Sequence, residues 1–254
     1  MSLHKTVTSM HMNPPSGFLL VNKPAGMTSH DVIDQLRRIT GIRKIGHAGT
    51  LDPFATGLLI VAVGREATRE ISKFVGLDKA YEAEFVLGAT TETLDSEGEV
   101  IEDVEGEGGV ENGGIEAAMA SLTGPIKQIP PMYSAIKQKG KKLYELARQG
   151  QTVEREPRNV VIHRFDLVKD PWIEEGLMIV PIQTRVSSGT YIRALARDLA
   201  EKLGTTGYVR ALHRSSIGSF SDQQAVDLHH VTSENWQTLL KNINISNIDE
   251  QHAK

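Results

Sequence analysis

Apolar runs and alternating segments follow one another along the 254-residue chain and predict a domain in which strands and helices alternate. Residues 17–21 and 58–63 are continuous apolar runs of the length that is typical of buried strands. Residues 79–87 alternate between apolar and polar positions, as strands with one buried face do. Residues 160–168 and 177–186 are predicted to pair as neighbouring strands, because a turn signal separates them.

Other segments carry apolar residues three and four positions apart, which is the spacing of a helix with one buried face. The first predicted helix has Ser29 as its N-cap and ends at Gly41, and its buried stripe is Val32, Ile33, Leu36 and Ile39. A helix of about ten residues is predicted after Gly64. Further helices are predicted over 115–122, over 143–148, over 191–203 and around Trp236. Residues 187–190 are predicted to cap the one that begins at residue 191.

No internal repeat and no linker interrupts the pattern, so the sequence predicts one domain over 17–220. A loose tail over 1–16 is expected before it, and a short extension over 221–254 is expected after it. Residues 92–114 are rich in glycine and acidic residues, and they are predicted to form a solvated loop with at most one short strand.

A flap is predicted over about 124–152. Two adjacent prolines near its start exclude a regular helix there. Four of its lysines cluster around Gly140, and they are Lys137, Lys139, Lys141 and Lys142. Lysines and tyrosines around a glycine suit a segment that closes on phosphates and stacks a base. A solvated surface loop is the alternative interpretation.

The composition, 39% hydrophobic and 24% charged, is ordinary for a globular protein. The chain has no cysteine, which excludes disulfides and thiolate metal sites. Its nine histidines have no metal-ligand spacing, so a metal-dependent nuclease or deaminase is disfavoured. No apolar run approaches the roughly 18 residues of a membrane span, and no signal-peptide core is present, so we expect a cytoplasmic protein without a membrane partner.

The net charge of −4 argues weakly against binding to nucleic acid, because phosphate contacts require clustered lysine and arginine. The charges are unevenly distributed, however. Residues 92–116 contain ten acidic and no basic residues, so the rest of the chain carries +6. Residues 127–169 alone contain ten basic and four acidic residues. The composition therefore permits an RNA-binding face but does not predict one.

The glycine-rich stretch 46–57 holds a single carboxylate, Asp52, followed by Pro53 and then by the predicted strand at 58–63. Glycines allow unusual backbone shapes and proline stiffens the chain, so this loop can hold a carboxylate at a fixed angle. An ordinary tight turn, in which the Asp52 side chain bonds its own backbone, is the alternative.

Residues 46–53 with Ala55, Thr56 and Gly57 resemble the catalytic motif of the TruB-type tRNA pseudouridine-55 synthases. Four further segments fit this family in its own order, and they are NKPAGMTS (22–29), KAY (79–81), PPMYSA (130–135) and SGTYIR (188–193). The resemblance extends from about residue 17 to about residue 220. It implies a mixed α/β (α+β) fold with a largely antiparallel sheet flanked by helices. It also implies isomerisation of uridine to pseudouridine at position 55, in the T loop of tRNA, without a cofactor or a metal.

The same resemblance assigns roles to three residues. Asp52 matches the essential aspartate, which suits a nucleophile of covalent catalysis. Arg193 matches the arginine that pairs with it and holds the carboxylate charged and oriented; a structural salt bridge elsewhere is the alternative. Tyr81 matches the tyrosine that stacks on the target base and takes the C5 proton; core packing is the alternative.

Other matches concern RNA binding. His47 matches the histidine that fills the space of the flipped nucleotide, although a histidine beside glycines is also a common turn hydrogen-bonder. Leu212 matches a leucine beneath the base, and Lys23 matches a lysine near the catalytic loop. The family often has two arginines after that leucine, and the first of them is His213 here, which puts one phosphate or packing contact in doubt.

We expect a stand-alone enzyme that acts on the tRNA T stem-loop and needs no obligate protein partner. The family commonly adds a PUA-like RNA-binding module, for which the extension over 221–254 is expected to be too short. One alternative is the relative that works inside a guide-RNA particle. Another is an RNA-binding or RNA-folding protein with vestigial catalysis, which an Asp52→Asn variant that binds RNA but makes no pseudouridine would separate from an enzyme.

Overall fold

The computed structural model describes most of the chain, namely residues 15–103, 112–138 and 140–243. Four predicted features lie partly or wholly outside the described residues: the N-terminal tail, the acidic segment, the flap residue Lys139 and the end of the C-terminal extension.

The described residues form fifteen strands. They are β1 (Gly17–Lys23), β2 (Ile45–His47), β3 (Thr56–Val63), β4 (Lys79–Leu87), β5 (Ala89–Thr91), β6 (Val100–Asp103), β7 (Gly124–Gln128), β8 (Lys137–Gln138), β9 (Lys141–Lys142), β10 (Arg158–Leu167), β11 (Trp172–Glu174), β12 (Leu177–Val186), β13 (Gly207–Ile217), β14 (Phe220–Ser221) and β15 (Val226–Asp227).

Seven α-helices lie in the same part of the chain, with short 3-10 turns at Asp222–Gln224 and Leu228–His230. The helices are α1 (Ser29–Thr40), α2 (Arg65–Arg69), α3 (Ile71–Val75), α4 (Asn112–Ser121), α5 (Leu143–Ala147), α6 (Ile192–Lys202) and α7 (Trp236–Leu239). None of these described helices combines the length and the apolar character that crossing a bilayer requires.

Eleven of the described strands form one mixed sheet, in which the order β15-β1-β3-β13-β4-β12-β10-β7 is flanked by β2, β11 and β14. β1 runs parallel to β15 and β3 runs parallel to β13, whereas the other pairs in this sheet are antiparallel. The hairpins β5–β6 and β8–β9 are separate. The predicted largely antiparallel sheet with flanking helices is therefore confirmed.

This sheet has two halves, which meet where β3 lies beside β13. The first half-sheet consists of β15, β1, β3 and β2, and the second consists of β13, β4, β12, β10 and β7 with β11 and β14. Strand β13 pairs with β4 along its whole length, but it meets β3 at two positions, His213 opposite Thr56 and Arg214 opposite Gly57. Gly57 has φ +102°, and a Cβ there would lie 2.4 Å from the backbone oxygen of Arg214. Such a close approach of two backbones requires glycine. The joint between the half-sheets therefore falls at the start of β3, directly after the loop that carries Asp52.

Helices cover both faces of the sheet, which explains why the strands of the first half are apolar without interruption. Leu19 and Val21 of β1 pack with Leu36 of α1 on one face. Phe18 of β1 packs with Phe74 of α3 on the other, where the two rings lie 4.7 Å apart. Helices α4 and α6 pack on the second half, in the cluster that also contains residues of β4, β12 and β13.

The N-cap of α1 is Thr28, so the prediction of Ser29 is wrong by one residue. The Thr28 hydroxyl accepts the Asp31 N–H at 3.0 Å, and the Asp31 carboxylate accepts the Thr28 N–H at 2.9 Å. This reciprocal capping box satisfies two backbone donors. The Ser29 hydroxyl is free of the cap and bonds the backbone of Leu51. Gly41, with φ +69°, ends the helix as predicted.

Two other helix predictions need correction. The ten-residue helix after Gly64 is two five-residue helices, because at Glu70 the N–H bonds the Ala67 oxygen three residues back and breaks the regular pattern. The cap of α6 is Tyr191 rather than a residue of 187–190. Its N–H donates to the Gln128 side chain at 2.8 Å, so the capping group comes from β7, which the pattern of residues did not predict.

The acidic segment is not simply a solvated loop. Residues 89–103 form the hairpin β5–β6, and the turn between its strands carries Asp95 into the interior, where it is 4% exposed. The predicted paired strands β10 and β12 are confirmed, and so is a short helix at Trp236. Strand β15 pairs with β1, and Lys241 bonds Phe18, so the described part of the extension packs on the first half-sheet.

Candidate active site

Asp52 and Arg193 meet at the centre of the molecule. Asp52 lies in the loop between β2 and β3, and Arg193 projects from the first turn of α6. Asp52 Oδ2 is 2.9 Å from Arg193 Nε, with the side chains 33% and 5% exposed. The Nε–H bond does not point at this oxygen, so the contact is an ion pair without hydrogen-bond geometry. The arginine is thus buried behind a carboxylate that solvent and substrate can reach.

The other nitrogens of Arg193 are held by the backbone of two different segments. Nη1 donates to the Thr93 oxygen at 2.7 Å, and Nη2 donates to the Tyr133 oxygen at 2.9 Å. Hydrogen bonds from a guanidinium to fixed carbonyls set both its position and its plane. The orientation of Arg193 therefore depends on the β5–β6 hairpin and on the start of the flap.

Asp95 is a second carboxylate on the same arginine, 3.2 Å from Nη1. Its Oδ1 accepts the Thr93 hydroxyl and the Glu97 N–H. Burial raises the pKa of Asp95, although the hydrogen bonds and Arg193 act in the opposite direction. Two carboxylates thus share one guanidinium. Burial of Asp95 has a desolvation cost, whereas Asp52 is partly exposed to solvent.

Buried side chains anchor the backbone of the Asp52 loop. Ser29 donates its hydroxyl to the Leu51 oxygen at 3.0 Å and accepts the Leu51 N–H at 2.8 Å. Arg214, which is 1% exposed, donates to three carbonyl oxygens of the loop and of β3, those of Gly49, Thr50 and Leu58. Because these bonds cover the chain on both sides of Asp52, the loop is held as a rigid unit.

Lys23 anchors the turn immediately after Asp52. Its ammonium group donates to three carbonyl oxygens, those of Pro24, Met27 and Pro53, at 2.8, 2.7 and 3.1 Å. The side chain is 1% exposed, and burial lowers its pKa to about 8. Since all three donors of an ammonium group are used, Lys23 ties β1 to the Asp52 loop and is not directed at the substrate.

Tyr81 and Leu212 lie in the hydrophobic core that the Asp52 loop joins. Both are 7% exposed, and both belong to the packed cluster that contains Leu51 and Ala55, the residues on either side of the Asp52 turn. The structure therefore places Asp52 and Arg193 in direct contact, and it places Tyr81 and Leu212 in the hydrophobic cluster that the Asp52 loop joins.

The remaining predicted residues lie around this centre. His47 is half-buried in β2, and burial and the Arg214 charge lower its pKa. Lys137 and Lys141 are exposed in the β8–β9 hairpin of the flap. His213 lies beside the loop: Nδ1 is 2.9 Å from the Thr56 hydroxyl, and Nε2 is 2.7 Å from Asp222.

No cluster of three or more potential metal ligands includes Asp52 in the described residues. One candidate cluster occurs elsewhere in them, at Asp227, His229 and His230, whose ligand atoms lie within 4.8 Å of one another at the edge of the first half-sheet. The Asp52 site instead combines an accessible carboxylate with a buried guanidinium, which suits a nucleophile of covalent catalysis.

Comparison with known families matches most of the chain to two profiles. Residues 37–192 match the N-terminal domain of the TruB family pseudouridylate synthases. The chain belongs to the TruB family. Residues 193–244 match the C-terminal domain of tRNA pseudouridylate synthase B. The protein is accordingly an isomerase that converts uridine to pseudouridine.

Curated relatives agree with this assignment. The chain is 46% identical over 220 residues to a tRNA pseudouridine synthase B of Arthrobacter sp., covering 86% of this chain and 71% of the relative. It is 42% identical over 221 residues to the tRNA pseudouridine synthase B of Thermobifida fusca, covering 86% of this chain and 75% of the relative.

Solved structures share the fold. A Cbf5–Nop10–Gar1 complex contains a chain with TM-score 0.67 and 25% identity, and an H/ACA RNP bound to a substrate RNA contains one with TM-score 0.61 and 24% identity. The matches cover 92% and 87% of this TruB-family chain, but 62% and 53% of the chains they match. The chain thus spans less than two thirds of these structural neighbours.

Two residues of this TruB-family site escaped the sequence analysis. Asp95 stood in a segment interpreted as solvated, and its one local signal is the TLDSEG turn, in which an aspartate can bond the backbone ahead of it. Arg214 was noted only as the second of two expected arginines. Its burial depends on three carbonyls that are distant in sequence, so no local pattern indicates it.

Proposed function

We propose that this chain isomerises uridine to pseudouridine at position 55, in the T loop of tRNA, with Asp52 as the catalytic carboxylate. The observation that carries the proposal is the Asp52–Arg193 ion pair, in which a buried guanidinium supports an accessible carboxylate. The motifs resemble those of the tRNA-specific enzymes, and the names of the curated relatives support tRNA as the substrate. The cytoplasm is the proposed location.

The reaction breaks the C1′–N1 bond, forms a C1′–C5 bond, releases the C5 proton and adds a proton to N1. No atom is gained or lost, and no oxidant takes part. Asp52 acts as the nucleophile at C6 of the base or at C1′ of the sugar. Arg193 orients that carboxylate and holds it by charge. Tyr81 stacks on the detached base and takes the C5 proton, directly or through water.

The target base must leave its stack before these groups can reach it, since neighbouring bases hide C5 and C1′. His47 is proposed to occupy the vacated space, and Leu212 to support the flipped base. Lys137 and Lys141, exposed on the flap hairpin, are proposed to contact phosphates of the T stem. Lys23 contributes by holding the loop. We assign catalysis to residues 17–220 and treat 221–254 as an extension, without an obligate protein partner.

The proposal is tested by tritium release from a tRNA transcript that carries 5-tritiated uridine. Wild type should release tritium, and a transcript whose T-loop uridine is replaced should release none from that site. Asp52→Asn should abolish release and retain salt-sensitive tRNA binding, because the substitution keeps the shape of the side chain. Asp78→Asn, the same change at a half-exposed aspartate paired with His163 and Arg185, is the matched control and should stay active.

Equal release by Asp52→Asn and wild type would show that the nucleophile is another group. Absence of release by wild type with intact tRNA binding would favour an RNA-binding or RNA-folding protein. Release that persists after the T-loop uridine is replaced would assign the enzyme to a different position in the RNA.

A further inference from the structure

His213 connects the start of β3, directly after the Asp52 loop, to the C-terminal extension through both of its ring nitrogens. Nδ1 is 2.9 Å from Thr56 Oγ1, and Nε2 is 2.7 Å from Asp222 Oδ2. The tautomer protonated at Nε2 satisfies both contacts: the ring donates to Asp222, and the Thr56 hydroxyl donates to the ring. The His213 and Asp222 side chains are 32% and 26% exposed, so the imidazole is held within the fold rather than free on its surface.

Thr56 directly follows the turn that begins at Asp52. The Ala55 N–H bonds the Asp52 oxygen at 3.1 Å, and Thr56 begins β3 directly afterwards. Near the beginning of this turn, Lys23 donates a hydrogen bond to the Pro53 carbonyl oxygen. On the β3 side, the backbone itself is weakly tied to β13, since those strands pair at two positions. The Thr56–His213 contact therefore adds a side-chain bond between β3 and β13, where these two strands share few backbone bonds.

None of the roles assigned above uses this imidazole. It stands where the family often has an arginine, and an arginine lacks the acceptor that Nδ1 offers to a hydroxyl. Two carboxylates lie on its sides: Asp222 bonds it, and Glu82 is its cross-strand neighbour on β4. The histidine thus makes a polar connection of a different kind at this position.

We propose that His213 is a positioning residue for catalysis, which fixes the Thr56 hydroxyl and thereby the angle at which the Asp52 carboxylate is presented. Asp222 holds the ring in the required tautomer. The inference rests on the proposed role of Asp52, because a turn that carries no catalytic group would need no such fixing.

The test is a set of single-turnover tritium-release rates with tRNA dissociation constants measured beside them. Thr56→Val removes the hydroxyl and keeps the shape, whereas Thr56→Ser keeps the hydroxyl. Since a tenfold rate change corresponds to the loss of one ordinary hydrogen bond, His213→Ala and Thr56→Val should each lower the rate about tenfold. Both should leave the dissociation constant within about twofold, because neither removes a phosphate contact. Thr56→Ser should stay within about twofold of the wild-type rate, since it retains the bond.

The double variant and a matched histidine decide the interpretation. Because both substitutions cut the same connection, His213→Ala with Thr56→Val should be no slower than either alone by more than about twofold. His163→Ala is the control: its Nε2 is 3.2 Å from Asp78 Oδ2, at a similarly half-exposed pair in the other half-sheet, and it should be fully active.

Independent, multiplicative losses in the double variant would overturn the proposal, and so would an equal loss in His163→Ala or a wild-type rate in His213→Ala. If His213→Ala does not fold, the contrast between Thr56→Val and Thr56→Ser decides alone. Asp52→Asn is assayed in the same series: if it is active, the proposed function itself fails, whereas an inactive Asp52→Asn beside a fully active His213→Ala rejects only this inference.

Discussion

Arg193 Nε lies 2.9 Å from Asp52 Oδ2 while Nη1 of the same side chain lies 3.2 Å from Asp95, so one guanidinium connects an accessible carboxylate to a buried one. The two acids come from different loops and the arginine from a helix. Removing either partner therefore has a distinct expected effect on activity and on stability.

Arg193→Lys should lower the rate of pseudouridine formation about 100-fold, because one ammonium group cannot replace a fork that reaches two carboxylates and two carbonyls. Single-turnover tritium release measures the rate, and filter binding measures tRNA affinity, which should hardly change. Arg197→Lys is the control, since Arg197 is one turn further along α6 and pairs with Asp198. A similar loss in both variants would mean that α6 as a whole, rather than the Asp52 contact, is disturbed.

Asp95→Asn should raise stability and lower activity. Because burial raises the pKa of Asp95, the folded protein binds this proton more tightly than the unfolded chain does. Ionised Asp95 therefore destabilises the fold, and wild type should lose stability as the pH rises through the interval between the ordinary and the raised pKa.

The measurement is thermal unfolding at pH 7.5, where Asp95→Asn should raise Tm by about 2 °C or more. The rate should fall, because Arg193 loses one of the charges that orient it. A lower Tm for the variant would show that the ion pair outweighs the cost of burial.

Lys23→Met should change how stability depends on pH. Burial lowers the pKa of Lys23 from 10.5 to about 8, so between these values the unfolded chain binds more protons than the folded protein. The stability of the wild type should therefore rise with pH across that window, by up to about 1.4 kcal/mol per pH unit for each such group. Urea unfolding from pH 7.5 to 10 measures the slope, which Lys23→Met should reduce.

Lys79 provides an independent check, because burial also lowers its pKa from 10.5 to about 8. Lys79→Met should reduce the slope by a similar amount, whereas Lys127→Met, at an exposed position, should leave it unchanged. A wild-type slope that is flat or falling above pH 8 would contradict the assignment of both lysines.

Gly57→Ala should destabilise the protein by about 3 kcal/mol or more, since the new Cβ meets backbone and the residue has a positive φ. Gly204→Ala separates these causes: Gly204 has φ +73°, but nothing lies within 4 Å of its Cβ position. It should lose about 1 kcal/mol, the strain of the backbone angle alone. Urea unfolding measures both variants, and equal losses would mean that the approach of β13 to β3 is not tight.

Periodicity predicted the elements in which the alternation of apolar and polar residues itself shows which face is buried. The strand predicted at 79–87 has the bounds of β4, and that at 177–186 has the bounds of β12. Periodicity failed where the partner is distant. The N-cap of α6, Tyr191, donates its N–H to a glutamine of β7, and β7 itself begins with Gly124 and Pro125 and lacks an apolar run.

The site followed the same rule. Asp52 stood out because glycines and a proline surround it in the sequence. The burial of Asp95 depends on Arg193, about a hundred residues away, and on the contact of the hairpin with Val209. Likewise, the Pro53 carbonyl beside Lys23 and the three carbonyls around Arg214 are brought close only by the fold, so the sequence alone could not assign these cations to the support of a loop.

The narrow joint between the half-sheets has a kinetic consequence. Thr56 and His213 are 157 positions apart, and the contact of Asp52 with Arg193 spans a similar stretch, so closing the joint requires a long loop of the chain to form. Enzymatic activity should therefore return after secondary structure during refolding, and a stopped-flow comparison of circular dichroism with tritium release would time the two events. Catalysis in this fold thus depends on contacts between residues that are far apart in the sequence.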